Sequence, residues 1–174
     1  GVGVVDVTAA IGNRRSHRAW RDAPLSLDEV SFLLWATQGL RRQLDAGHAT
    51  RTVPSAGCRH ALETQLVALA VDGLAPGVYR YLPLSHRLFL EFTEDDLAEN
   101  LTAATLGQAF VGGAPATFVW STVAYRMEWR YGAAAHKVIA LDAGHVCQNL
   151  YLACEAIGAG TCAVAAYDQE AIDR

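Results

Sequence analysis

Apolar and polar positions along the chain change period often, which divides it into short helices and strands. Val7 to Asn13 reads as a brief amphipathic helix. Ser26 and Glu29 stand at capping-box spacing, with Leu25 and Val30 placed as a hydrophobic staple. Leu27, Val30, Leu33 and Leu34 then recur at helical intervals as far as Gly39, a suitable terminator. Residues 41–53 are polar and contain glycine, so a loop is expected there. Leu62 to Val71 predicts a buried strand closed by Asp72-Gly73, and the alternation in Gly77 to Leu82 and Arg87 to Phe92 predicts a hairpin turning through Pro83 to His86. Thr93 is placed to cap an acidic helix of about a dozen residues.

Further on, β-branched and aromatic residues mark Ala116 to Ala124 as a strand. The longest helical pattern runs from about Ala134 to Ile157. It is apolar over much of its circumference, as expected of a central buried helix. Gly158 and Gly160 end it, and Thr161 to Ala166 follows as an expected strand. Asp168 to Arg174 reads as the opening turns of another helix, so a C-terminal segment is expected to follow. No repeat or low-complexity linker interrupts the chain. This order of elements predicts a mixed α+β fold in one domain over residues 1–174.

Composition narrows the class. Of 174 residues, 52% are hydrophobic and 18% charged, which is too apolar for disorder and sufficient for a core. No apolar run approaches the roughly 18 residues of a membrane span, and the start has Asp6 and no basic leader. A cytoplasmic protein without membrane partners is expected. The four cysteines, Cys58, Cys147, Cys154 and Cys162, form no C-x-x-C pair and are expected to be reduced, packed thiols.

The net charge of −4 is unevenly spread. Residues 1–60 carry eight arginines against five acids, and the remainder carries six basic against thirteen acidic groups. A pI near 5.8 argues against a large nucleic-acid surface. Arg14, Arg15, Arg18 and Arg21 nevertheless lie together, and guanidinium groups bind phosphate in a bidentate fork. In an extended run Arg14, Ser16 and Arg18 would project to one side and could face one anion; a solvated basic turn is the alternative.

Two more constellations carry candidate chemistry. Pro54-Ser55-Ala56-Gly57 precedes the first long strand, and its small residues would let backbone approach a flat ligand; an ordinary lead into a strand reads equally well. Asp142, His145 and Asn149 share roughly one helical face, either as an acid–base group or as partners for buried backbone. Cys58 and His60, with His145 and Cys147, lack zinc-site spacing, so no metal is expected. G-x-S-x-G, G-x-G-x-x-G and P-loop motifs do not occur.

Taken in order, RRSHRAW at 14–20, RTVPSAGCRHALE at 51–63, GVYRY at 77–81, WRYG at 129–132, LDAGHVCQNLYLA at 141–153 and GAGTCAVAAYD at 158–168 resemble the nitroreductase superfamily of FMN-dependent oxidoreductases. The PSAG and DAGHV strings look most like the branch that includes azoline-oxidising dehydrogenases of thiazole/oxazole-modified peptides and their stand-alone relatives. The resemblance implies a central mixed or antiparallel sheet flanked by helices, a long central helix, and a homodimer with FMN at the interface. It implies Arg14 and Ser16 at the FMN phosphate, with Arg15 in the same cofactor-binding run, and Arg18 near the N1/O2 edge of the flavin. Pro54, Ser55, Ala56 and Gly57 would line the flavin from the other subunit. Ala165 and Ala166 would occupy the turn whose backbone N–H reaches N5.

It further implies NADH or NADPH as donor, ping-pong hydride transfer through N5, and a small flat or unsaturated acceptor such as a nitro compound or quinone. Tyr131 is the matching proton donor or relay, and Arg130 a substrate-binding group that stays protonated and cannot act as base. A peptide azoline dehydrogenase and a flavin-binding dimer without turnover are the alternatives.

Overall fold

The structure is a computed structural model describing residues 2–173. Asp6 caps the first helix, α1 (Val7–Asn13), by accepting from the Thr8 and Ala9 amides. Strand β1 (Leu25–Ser26) leads directly into α2 (Leu27–Gln38), whose N-terminus carries the complete capping box. Ser26 accepts from the Glu29 amide, and the Glu29 carboxylate accepts from Ser26 N–H at 2.8 Å.

Residues 40–51 differ from the expected loop. They form β2 (Leu40–Gln43) and β3 (Ala49–Arg51), an antiparallel pair. The Asp45 carboxylate accepts from the Gly47 amide and contacts His48, which closes the turn. Most of β2 is exposed on both faces, so no alternation of hydrophobic residues announces it.

The main sheet follows: β4 (Leu62–Ala68), β6 (Gly77–Leu82), β7 (Arg87–Phe92) and β8 (Ala116–Thr122), in the order β7-β6-β4-β8 and antiparallel throughout. The predicted strand from Leu62 breaks after Ala68. Its remainder, β5 (Val71–Asp72), leaves the main sheet to pair in parallel with β1. Both faces of the second half of β4 are covered, in keeping with its unbroken apolar stretch Leu66–Ala68. Leu66 and Ala68 pack with Val30 and Leu34 of α2, while Val67 packs with Leu97, Leu101 and Val111 on the other side. Each fully buried leucine there contributes about 2 kcal/mol.

The acidic helix starts later than expected. α3 (Leu97–Ala104) begins after Asp96, and Thr93 does not cap it. Pairing of Phe92 with Val78 holds the chain in the sheet, and it must turn before Leu97 and Leu101 can face the core. A short α4 (Ala109–Gly112) leads to β8. α5 (Tyr125–Tyr131) was not anticipated, and α6 (Ala135–Ile157) is the long central helix. Leu150, Ala153 and Cys154 of α6 pack on Leu33 of α2, and Val146 packs on Val53 and Leu62.

The expected strand from Thr161 to Ala166 is not one. Its only ladder contact among the described residues is an isolated bridge from Thr161 to Ser16, and side chains satisfy part of its backbone instead. α7 (Gln169–Ile172) ends the described chain, capped by Asp168; Arg174 lies outside the described residues. All four cysteines are free, but Cys58 is exposed rather than packed. No helix among the described residues is long and apolar enough to cross a membrane.

Candidate functional site

Two clusters gather the candidate residues, one toward each end of α6. The first is built on the arginine run. After α1 the chain is extended, and Ser16 bridges Thr161 while His17 N–H donates to the Thr161 carbonyl at 3.0 Å. Gly160 allows this approach: a Cβ there would stand 2.7 Å from the His17 ring. Tyr151 of α6 ties the two segments together. Its hydroxyl is 2.8 Å from Ser16 Oγ and accepts from the Ala163 amide at 2.9 Å. The Arg14 guanidinium lies 5.3 Å from the Tyr151 ring centroid, and Arg18 lies 5.8 Å from that of Phe110.

Arg15, Ser16 and Arg18 are exposed, and Arg14 is partly so. Among the described residues none of these arginines meets a carboxylate. Ala165 and Ala166 follow on the same segment. Their amides donate no hydrogen bond among the described residues, while the Ala166 carbonyl accepts from Gln108 at 2.8 Å. Beneath this segment runs a solvent-open groove of about 1740 Å³ lined by Trp20, Phe110, Val119, Leu150 and Val164. Ala165 also lines it, and no residue of the 54–57 loop does.

The second cluster is built on that loop. Asp142, only 4% exposed, points from α6 and accepts from the Ala56 amide at 3.0 Å. Ser55 Oγ accepts from the His60 amide at 2.8 Å. Gly57 takes φ +57°, and a Cβ there would meet Tyr131 Oη at 2.7 Å and Arg130 Nε at 2.9 Å. The loop glycine, Arg130 and Tyr131 are therefore in close contact, although more than seventy residues separate them in sequence. Ala56 and Tyr131 pack against the buried group of Ala61, Met127 and Ala135, which roots the cluster in the core.

A polar network lies behind the loop. Arg51 donates to Gln38 Oε1 at 2.7 Å, and Arg126 donates to Glu63 at 2.5 Å and to the His60 carbonyl at 2.9 Å. Burial, and then the Arg51 charge, push the His60 imidazole down to about 4, so it is neutral near pH 7. Burial likewise lowers the Arg51 pKa from its ordinary value. Cys58 Sγ lies 3.4 Å from His60 Nε2 and donates to the Ala49 carbonyl.

The expected trio on α6 does not act together. Asp142 serves the Ala56 amide, Asn149 donates to the Ala36 carbonyl at 2.9 Å, and His145 is exposed. Sequence reasoning missed Tyr151, which is visible only as the link between two distant segments. Asp142 and Asn149 match the reading of the trio as partners for backbone groups, with Ala56 lying 86 positions from Asp142. The only sequence signal for Tyr151 was a hydroxyl-bearing residue between Leu150 and Leu152 of α6. Among the described residues no group of three or more His, Cys, Asp or Glu side chains is placed to hold a metal ion.

A four-stranded antiparallel sheet and a long central helix that carries both clusters define an α+β protein. The sequence profile of the nitroreductase family matches residues 11–174. The chain belongs to the nitroreductase family. A Methanocaldococcus jannaschii protein provisionally named a nitroreductase is 34% identical over 158 residues, covering 90% of this chain and 77% of its own length. Among solved structures, one from Ralstonia eutropha, also provisionally named a nitroreductase, is 31% identical with a TM-score of 0.73, covering 91% of this chain and 68% of its own. Two more share the fold at lower identity. An Anabaena variabilis protein, again provisionally named a nitroreductase, gives a TM-score of 0.81 at 23%, covering 97% of this chain and 34% of its own. A chain of the Escherichia coli microcin synthetase McbBCD complex, solved with truncated pro-MccB17 bound, gives 0.72 at 21%, covering 99% and 67%.

Proposed function

We propose that the chain is an FMN-dependent reductase working as a homodimer, with each flavin held between the arginine cluster of one subunit and the 54–57 loop of the other. The observation that carries this reading is the separation of the two clusters on α6. Asp142 and Tyr151 are nine residues apart on that helix, hence about 13 Å along its axis and about 180° around it. One copy presents the two clusters on opposite sides, and a second copy supplies the missing half of each site.

The residues fit the cofactor. Arg14 and Arg18, without acidic partners, and the Ser16 hydroxyl form a donor set suited to a phosphate monoester and an anionic ring edge. Tyr151, already accepting from Ala163, can donate its own proton to Ser16 and leave the serine O–H for the ligand. Arg15 adds positive charge to the same run. Pro54, Ser55, Ala56 and Gly57 offer a flat wall, and the uncommitted amides of Ala165 and Ala166 offer donors. The chemistry FMN supplies is hydride transfer from a nicotinamide donor, NADH or NADPH, to a small flat or unsaturated acceptor such as a nitroarene or quinone. Arg18 provides the fixed cation that favours negative charge on the ring edge. Tyr131 stands beside Gly57 as the proton donor for the acceptor, with Arg130 binding that acceptor.

The test is direct. Purified protein should be yellow or take up FMN with a flavin spectrum, sediment as a dimer, and be bleached by NADH or NADPH. Arg14→Ala with Arg18→Ala should abolish flavin uptake. A colourless protein indifferent to added FMN rejects the proposal. Flavin that binds but is reduced by neither nicotinamide leaves only flavin binding.

A further inference from the structure

The surface beside Gly57 narrows the class of acceptor. Tyr125 and Trp129, four residues apart on α5, share one helical face and are 72% and 56% exposed. The Arg59 guanidinium carbon lies 4.1 Å from the Trp129 ring centroid, so a cation covers one side of an otherwise open indole. Arg59 Nε is buried and has no hydrogen-bond partner. Arg130 follows Trp129 directly and packs against Gly57 and the Tyr131 ring.

Neither arginine meets a carboxylate among the described residues, and Glu128, the one acid of α5, pairs with neither. Their neighbours are already committed, Arg126 to Glu63 and Arg51 to Gln38. Two uncommitted guanidinium groups thus border an exposed aromatic surface on a chain whose net charge is −4. A neutral acceptor would leave both cations unanswered. A planar ring with a carboxylate satisfies the arginines with its charge and covers the exposed aromatic edge beside them with its apolar surface.

We infer that the acceptor is an aromatic carboxylate, its carboxylate shared by Arg59 and Arg130 and its ring against the exposed Tyr125–Trp129 side of α5. This rests on reading the 54–57 loop as the flavin wall.

The test compares 4-nitrobenzoate with its neutral isostere 4-nitrobenzamide, by calorimetric titration of the purified chain with and without FMN. The anion should bind at least about tenfold more tightly, as a charge-assisted fork requires. Arg59→Gln and Arg130→Gln should each bring the two ligands toward parity, Arg59→Lys should retain part of the preference, and Arg87→Gln should retain all of it. Added salt should erode the preference, and thermal melts establish that each variant is folded. Equal binding of the two compounds, no binding of the anion, or a preference that survives both glutamine substitutions overturns the inference. An anion preference in protein that takes up no FMN upholds this surface and removes the flavin reading. Flavin that binds and turns over both compounds equally does the reverse.

Discussion

The two clusters along α6 are held by different means. The 54–57 loop is rooted in the core: a buried carboxylate takes its Ala56 amide, and Ala56 and Tyr131 sit on Met127 and Ala135. The arginine run has no such root. It is an exposed extended segment tied to residues 160–163 by one bridge, one backbone hydrogen bond and the hydroxyl of Tyr151. Under the proposed function the 54–57 loop is a wall for a flat ring, and such a wall benefits from rigidity because its shape must exist before the ligand arrives. A phosphate grip needs only charge and donors at the surface, and the ligand itself can complete its order.

Breaking the rooted side should cost more. Asp142→Ala leaves the partly buried Ala56 amide without its acceptor and should destabilise the fold by about 1–2 kcal/mol, read as a lower urea midpoint. Asp142→Asn keeps an acceptor oxygen and should recover more than half of that loss. If Asp142→Ala is no worse than a surface substitution, the loop is not anchored as described.

Tyr151→Phe should cost about 1 kcal/mol, since it deletes one hydroxyl shared by two partly buried hydrogen bonds. Its larger effect should fall on FMN uptake, because Ser16 and Ala163 lose their common partner. Unchanged uptake would separate Tyr151 from the cofactor.

The smallest effect concerns pH. The His60 imidazole is pushed down to about 4 in the folded chain, by burial first and then by Arg51, with Asp142 opposing and Arg126 adding to the depression. Between about pH 4 and the ordinary histidine value near 6.5, the unfolded chain binds the extra proton. Stability contributed by neutral His60 is therefore full above about 6.5 and declines as pH falls through that window. Exposure of part of the ring tempers the slope. Urea midpoints at pH 5 and pH 7 should differ by less in His60→Gln than in the parent chain.

The sequence determined what depends on neighbours along the chain. The capping box at Ser26 and Glu29, the β6–β7 hairpin, β8 and the span of α6 were legible because caps, turns and hydrophobic period act over a few residues. The motifs that mark the nitroreductase family were legible because each is a short contiguous string. Elements whose cause is remote were misread or missed. The β2–β3 pair shows no alternation because it is mostly exposed. The strand expected at 161–166 lacks a neighbouring strand among the described residues and turns to Tyr151 and Gln108 instead. α5 is too short for its period to stand out.

Tertiary structure alone decided which polar residues matter to one another. Asp142 finds its partner 86 positions away, Ser16 finds Tyr151 across 135, and Gly57 meets Arg130 and Tyr131 only because the core brings Ala61, α5 and α6 together. Pairings at such separations depend on the packed sheet and helices, which local pattern does not encode. The same packing sets the two clusters on opposite sides of one helix, and this placement is why the proposed site needs two copies of the chain.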